Sequence, residues 1–192
     1  MKRSKRINGL FVAVFSLVSL FTLINGTNKK DVVSASNDTI KLNSEEASTN
    51  TYNEIFKKMA ASKTYTCTSN NIEYSLMYGD IDNEILPLSY VNDGLYTKDG
   101  TASEQGVMAW DFQIRGGCES ENVILKMKAN EDMVISFNAK ASSSWASATY
   151  RVVFETNNSK KELYNEDLVA NGTVDFAKNC ALKTNDSLYF VV

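Results

Sequence analysis

One short segment brings a tryptophan, a tyrosine and an arginine close together in a polar setting. Trp145 lies in a stretch of small residues from Ser142 to Ser147, and Tyr150 and Arg151 follow it. Aromatic rings stack on the apolar faces of sugar rings, and a guanidinium group donates hydrogen bonds from a planar fork. Trp145, Tyr150 and Arg151 are therefore candidate ligand-binding residues. The alternative for Trp145 is a core position at one end of the domain.

A second segment carries oxygen-bearing side chains at alternate positions, namely Asp80, Asp82 and Glu84. Calcium takes about six to eight oxygen ligands, and a D-x-D spacing in a loop supplies several of them. The segment lacks the glycine and the final glutamate that complete an EF-hand loop. It predicts either a structural calcium site at Asp80, Asp82 and Glu84 or an acidic turn between strands.

Few side chains in this chain are suited to catalysis. The absence of histidine removes the commonest general base, the commonest zinc ligand and every Ser–His or Cys–His pair. Paired carboxylates could still hydrolyse a glycosidic bond, with Asp111, Glu119 and Glu155 as the candidates. Glycosidases are usually larger than one small domain, so we expect a protein that is not an enzyme.

The first 35 residues have the three parts of a secretory signal peptide. A basic start is followed by an uninterrupted apolar run from Leu10 to Ile24 and by the small-residue exit Val33-Ser34-Ala35. The run is short for a membrane helix, which needs about 20 apolar residues, and no second apolar run follows. We therefore expect a secreted protein that does not span the membrane after signal removal, either released or held at the cell wall.

The charge and the cysteines limit the partners and the covalent bonds. The formal net charge is −3, and four of the basic residues, Lys2, Arg3, Lys5 and Arg6, lie in the leader. Nucleic acid is thus an unsuitable partner, because its binding relies on clustered lysine and arginine.

The odd number of cysteines cannot be fully paired within one molecule, and the spacing of Cys67, Cys118 and Cys180 leaves one disulfide or three free thiols equally open.

Two short segments separate the leader from the body of the protein. Residues 36–50 are rich in Ser, Thr, Asn and Glu, which predicts a flexible linker. Thr51-x-x-Glu54 is a capping-box pattern, and Ile55, Phe56 and Met59 then recur at helical spacing. This predicts a short amphipathic helix over residues 51–62.

From residue 63 to residue 192 apolar side chains recur at every second position, which is typical of antiparallel strands with one face on a core. Turn-forming clusters separate the runs. Six runs predict clear strands: Ile72–Tyr78, Met108–Arg115, Val123–Lys128, Met133–Lys140, Tyr150–Glu155 and Ser187–Val192. Three runs predict weaker strands: Ile85–Val91, Glu162–Tyr164 and Thr173–Ala177. The pattern predicts an all-β, two-sheet sandwich, with a barrel as the alternative.

Several motifs in this half of the chain resemble a module of secreted Gram-positive bacterial proteins. A strand bearing Trp110 precedes Ile135-Ser-Phe137-Asn-Ala139, and the chain finishes with the run from Leu182 to Val192. The chain resembles the jelly-roll β-sandwiches of the carbohydrate-binding type. That resemblance implies a jelly-roll fold, a glycan or cell-surface component as partner, and in many cases a structural calcium.

We therefore expect a secreted, non-catalytic module that binds carbohydrate at the cell surface or as an accessory part of a larger extracellular protein. Trp145 is the first candidate for the site, with Tyr150 and Arg151 beside it. The alternatives are a structural or adhesive surface module and the N-terminal piece of a larger secreted enzyme.

Overall fold

The computed structural model describes residues 15–22, 32–33, 49–100, 106–108, 113–115, 122–143, 147–157 and 159–192. Within these ranges the chain is mostly β-structure with one short helix. The elements are β1 Phe15–Thr22, β2 Val32–Val33, β3 Thr49–Thr51, α1 Tyr52–Ser62, β4 Thr66–Ser69, β5 Ile72–Gly79, β6 Ile85–Pro87, β7 Ser89–Asn92, β8 Leu95–Thr97, β9 Gly106–Met108, β10 Gln113–Arg115, β11 Asn122–Ala129, β12 Met133–Ser143, β13 Ala148–Thr156, β14 Ser159–Leu168, β15 Thr173–Leu182 and β16 Ser187–Val191.

The strands form two sheets. Sheet I runs in the order β2-β15-β12-β1-β10-β9-β8-β7, and β3 also pairs with β1. Sheet II runs in the order β14-β13-β16-β11-β5-β4, and β6 also pairs with β5. The described pairs are antiparallel apart from the short parallel pair of β15 with β2.

The main hydrophobic core takes side chains from both sheets. Leu125, Val152 and Phe190 come from sheet II, and Ile135 and Phe137 come from sheet I. Each of them is at most 3% exposed. Because side chains alternate between the two faces of a strand, every second residue of β11, β13 and β16 enters this core. The prediction of an all-β, antiparallel protein is confirmed.

Helix α1 packs its apolar side on the same core. Ile55, Phe56 and Met59 are fully buried, whereas Lys57 and Lys58 are exposed. The helix ends at Ser62, and the next residue, Lys63, has a positive φ of 53° that stops the helical path. The predicted short amphipathic helix is thus confirmed, one residue shorter at its start than residues 51–62.

Tight turns fix the registers of the neighbouring strands. Asn70 and Asn71 join β4 to β5 with φ values of 51° and 57°, the pair of positive φ angles that a two-residue type I′ hairpin requires. Asp93 and Gly94 join β7 to β8 in the same way, with φ values of 44° and 78°. The second of these turns lies in Asn92-Asp93-Gly94, whose residue types predict a turn from the sequence.

Two predicted strands are each broken into two. The weaker run Ile85–Val91 divides into β6, which belongs to sheet II, and β7, which belongs to sheet I. The alternation from Met108 to Arg115 predicts a single strand, but Met108 ends β9 and Gln113 begins β10, and these two residues pair with each other in antiparallel register. Two antiparallel partners cannot belong to one continuous strand. A period-two pattern shows to which face of a strand each side chain points, but it does not show where the chain reverses direction.

The first fifty residues are described only in part. Strand β1 belongs to the apolar run of the predicted signal peptide and pairs with β12 from Phe15 opposite Ser143 to Thr22 opposite Ser136. Strand β2 lies just before the predicted exit at Ala35 and pairs with β15. These contacts are made by residues of the predicted signal peptide, and cleavage after Ala35 stays a prediction. The predicted linker lies outside the described residues except for Thr49 and Asn50, which begin β3.

Candidate functional site

Arg151 is the predicted ligand-binding residue that the structure presents at the surface. It lies on β13 between Tyr150 and Val152, both of which are fully buried in the main core. Alternation along the strand therefore directs Arg151 to the opposite, outer face of sheet II. Its side chain retains 25% exposure and lies beside Val191 of the neighbouring strand β16.

Two carboxylates hold the Arg151 guanidinium. Nε donates to Oε2 of Glu162 at 2.9 Å, and Nη1 and Nη2 both donate to Oδ2 of Asp82 at 3.3 Å. Partial burial lowers the pKa of Arg151, but the hydrogen bond to Glu162 and the charge of Asp82 outweigh it, so the pKa is raised. The guanidinium therefore remains a permanent cation with a fixed orientation. The two carboxylates beside it stay accessible, since the Asp82 side chain is 60% exposed and the Glu162 side chain is 40% exposed.

A bulge in the sheet positions Glu162. The pairing of β13 with β14 shifts between Val152 and Val153, so that Val152 faces Tyr164 and Val153 faces Glu162. The shift places the Glu162 carboxylate on the outer face beside Arg151. Bulges re-aim a side chain in this way and are frequent near binding sites.

Asp82 belongs to the loop Asp80–Glu84 that joins β5 to β6. Asp80 organises this loop: Oδ1 accepts from the Asp82 amide at 2.9 Å, and Oδ2 accepts from the Asn83 side chain. The Asp82 amide first and the Asn83 side chain second lower the pKa of Asp80. Gly79 precedes the loop with a φ of 118°, and any Cβ there would overlap the Glu84 carbonyl oxygen. The loop is thus a closed hairpin turn that folds towards Arg151.

The predicted calcium ligands are partly engaged with the protein itself. Asp80 accepts hydrogen bonds within the loop, and Asp82 accepts from Arg151. Among the residues with described side chains there is no group of three or more that could hold a metal ion. A calcium ion at Asp80, Asp82 and Glu84 would have to compete with the Arg151 cation for Asp82, and this site stays a prediction.

A second apolar cluster lies beneath the loop, on the outer face of sheet II. It consists of Ile81 from the loop and of Ile124, Val153, Tyr189 and Val191 from the sheet, each at most 3% exposed. Across the sheet, Tyr189 stands between Lys126 and Val153, and Val191 stands between Ile124 and Arg151. An outer sheet face usually carries polar side chains, so this apolar group is unexpected, and Ile81 covers it.

Charged groups surround the ring of Tyr189. Its hydroxyl donates to Oε2 of Glu155, and Nζ of Lys126 lies 5.6 Å from its ring centroid. Lys160 lies beside Glu155, with Nζ 3.8 Å from Oε1, and donates to the backbone oxygen of Ile81. Burial first, and the Glu155 hydrogen bond second, raise the pKa of Tyr189, so the ring stays neutral. The result is a buried aromatic ring with a rim of donors and acceptors, in the same apolar cluster as Ile81 of the loop.

Tyr150, the other predicted ligand residue that the structure describes, does not join Arg151. Tyr150 is fully buried between the sheets, with its ring centroid 5.8 Å from that of Tyr164, so it cannot contact a surface ligand in this structure. Burial raises its pKa, and its hydroxyl has no hydrogen-bond partner among the described residues. Trp145 lies outside the described residues, and the structure neither places it at the site nor removes it.

Sequence reasoning missed Glu162, Tyr189 and Lys126. Glu162 depends on the bulge, and Tyr189 belongs to the run Ser187–Val191, in which all residues are buried and no alternation marks the faces. Glu155, a candidate for carboxylate catalysis, is bonded to Tyr189, whereas Asp111 and Glu119 lie outside the described residues. The alternation along β13 could have separated Arg151 from Tyr150 at the outset.

Two cysteines are described, and both are free thiols. Cys67 is half-buried, and Cys180 is buried in the main core. Burial raises the pKa of Cys67 to about 11 and that of Cys180 to about 12, so both remain protonated and unreactive near neutral pH. Cys118 lies outside the described residues.

No protein-family model, curated protein or solved structure matches this chain. Its likeness to carbohydrate-binding jelly rolls therefore remains a hypothesis drawn from the motifs alone. None of the helices in the described ranges is long and apolar enough to cross a membrane.

Proposed function

We propose that this protein is an exported, non-catalytic jelly-roll sandwich that binds carbohydrate at a cell surface through the outer face of sheet II. The observation that carries the proposal is Arg151, held between the exposed carboxylates of Asp82 and Glu162. A sugar hydroxyl both donates and accepts, and it can bridge a guanidinium donor and a carboxylate acceptor that lie side by side.

The charge around Arg151 favours a neutral glycan. Around the loop and the Tyr189 ring, carboxylates outnumber cations: Asp80, Asp82, Glu84, Glu155 and Glu162 stand against Lys126, Arg151 and Lys160. An acidic polysaccharide would meet net repulsion there, whereas the hydroxyls of a neutral sugar would not. This balance also argues against teichoic-acid-like polymers as the ligand class.

The signal peptide and the calcium site belong to the same proposal. The leader supplies export, and cleavage after Ala35 would leave Ser36 as the first residue of the exported protein. Calcium at Asp80, Asp82 and Glu84 would draw Asp82 away from Arg151, and it would then affect binding through the loop. Both points are tested together with binding.

The test is a glycan array with the exported protein, run with and without a calcium chelator. Arg151→Gln should weaken binding about tenfold to a hundredfold, because a lost hydrogen bond to a charged group is worth about 1.5–3 kcal/mol. Lys57→Gln is the matched control, since it removes one exposed positive charge from helix α1, and it should bind as the wild type does.

Two results would decide against the proposal. Equal binding by Arg151→Gln and wild type would remove Arg151 from the site. A wild-type protein that binds nothing on the array would favour the structural or adhesive module instead. Trp145→Ala is tested on the same array, and full affinity in that variant would exclude Trp145 from the site.

A further inference from the structure

We propose that the loop Asp80–Glu84 is a hinged strap that covers a sugar-stacking subsite built on Tyr189. The proposal rests on the function proposed above and adds a second subsite and its gate. Three contacts hold the strap against sheet II: the burial of Ile81, the hydrogen bond from Lys160 to the Ile81 backbone oxygen, and the ion pair of Arg151 with Asp82.

The strap can move without disturbing the sandwich. Its two ends are fixed by the pairing of Gly79 with Ile85 at the base of the β5–β6 hairpin. Beyond the hairpin, the Leu88 amide donates to the Leu76 oxygen at 3.0 Å and secures the chain again. Only Ile81 of the strap is buried, and Asp82 is 60% exposed, so opening would break few contacts.

The surface under the strap suits one occupant, a neutral pyranose ring. Tyr189 offers an aromatic ring, and Val153 on the neighbouring strand and Val191 two residues along β16 continue the apolar surface. Glu155 and Lys126 stand at the rim and provide an acceptor and a donor for the hydroxyls around a stacked ring. A protein strand or an apolar peptide would leave these charged rim groups desolvated and unpaired.

In this arrangement Ile81 occupies the place that the sugar takes. Because the binding-competent state is the open one, the apparent affinity is reduced by the fraction of molecules in that state. The strap thereby lowers affinity for single sugars. A ligand that also engages Arg151 displaces Asp82 and opens the strap at the same time.

The experiment measures strap opening and glycan binding separately on the exported protein. Hydrogen exchange followed by mass spectrometry should show the amides of Asp80, Asp82 and Asn83 exchanging at least a hundredfold faster than those of β16. In Ile81→Ala the strap amides should exchange faster still, and affinity for the array's best glycan should rise about tenfold. Lys160→Met, which removes the donor to the Ile81 oxygen, should act in the same direction.

The subsite is tested by Tyr189→Leu, which should lose at least tenfold in affinity. Its control is Tyr65→Leu, because Tyr65 is 40% exposed at another place on the surface and should be neutral. Unchanged affinity in Tyr189→Leu, or unchanged or weaker binding in both strap variants, would overturn the proposal. If the wild type binds no glycan, the proposed function fails. Independently of binding, the strap proposal would be overturned if the strap amides exchanged only when the whole domain unfolds.

Discussion

The hydroxyl of Tyr150 gives the sharpest test of the packing between the sheets. The side chain is fully buried, and its hydroxyl makes no hydrogen bond with any residue that the structure describes. Leaving a buried polar group unpaired costs about 1–3 kcal/mol. Tyr150→Phe removes the hydroxyl and keeps the ring contact with Tyr164, whose centroid is 5.8 Å away. We expect the free energy of unfolding to rise by about 1 kcal/mol after allowing for the small void left behind.

The assay is urea unfolding at equilibrium, followed by a thermal scan. An increase of about 1 kcal/mol should raise the urea midpoint with no change in m, and should raise the melting temperature by about 2–4 °C in a protein of this size. Tyr164→Phe is the matched control. Its hydroxyl donates to Glu166 at the surface, so its removal should be neutral or cost up to about 1 kcal/mol. A loss of more than about 1 kcal/mol in Tyr150→Phe would refute the reasoning, since it would mean that the hydroxyl is satisfied.

Two further predictions concern titratable groups. Hydrogen bonds from the Thr184 amide and hydroxyl lower the pKa of Asp132 below its ordinary value, so its contribution to stability is present above the ordinary pKa and is lost as the pH falls through the lower pKa of the folded state. The stability difference between wild type and Asp132→Asn should therefore shrink on acidification from pH 6 to 2, and a constant difference in urea titrations would contradict this. Cys67 and Cys180 should alkylate at pH 8 at least tenfold more slowly in the native state than in urea, as measured by peptide mass spectrometry; rapid native labelling would show the thiols to be accessible.

The β-structure could be predicted because its signal is local. Leu125 and Met127 alternate with Lys126 and Lys128, and the structure buries the first pair in the main core while the second pair stays half-exposed on the other face. The same signal fails at β14, where only residues 162–164 could be recognised. Charged side chains fill this ten-residue edge strand, and such charges block further pairing while hiding the apolar period.

The site could be predicted only in fragments, because long-range contacts assemble it. Asp82 and Arg151 were each predicted, one as a calcium ligand and the other as a sugar ligand, but they are 69 positions apart and the sequence gives no sign that they meet. Tyr150 was grouped with Arg151 because the two are neighbours in sequence. Adjacent residues on a strand point to opposite faces of the sheet, so the side chains of Tyr150 and Arg151 lie on opposite faces.

Strand β16 shows how the proposed strap could open while the two sheets remain folded. Leu188 and Phe190 lie in the main core, which both sheets and helix α1 complete without the loop. Tyr189 and Val191 lie in the small outer cluster, to which the loop contributes Ile81. Opening the strap would therefore expose a few outer apolar groups and leave the larger core intact. A binding surface that is covered when empty would also avoid presenting exposed apolar side chains to other proteins.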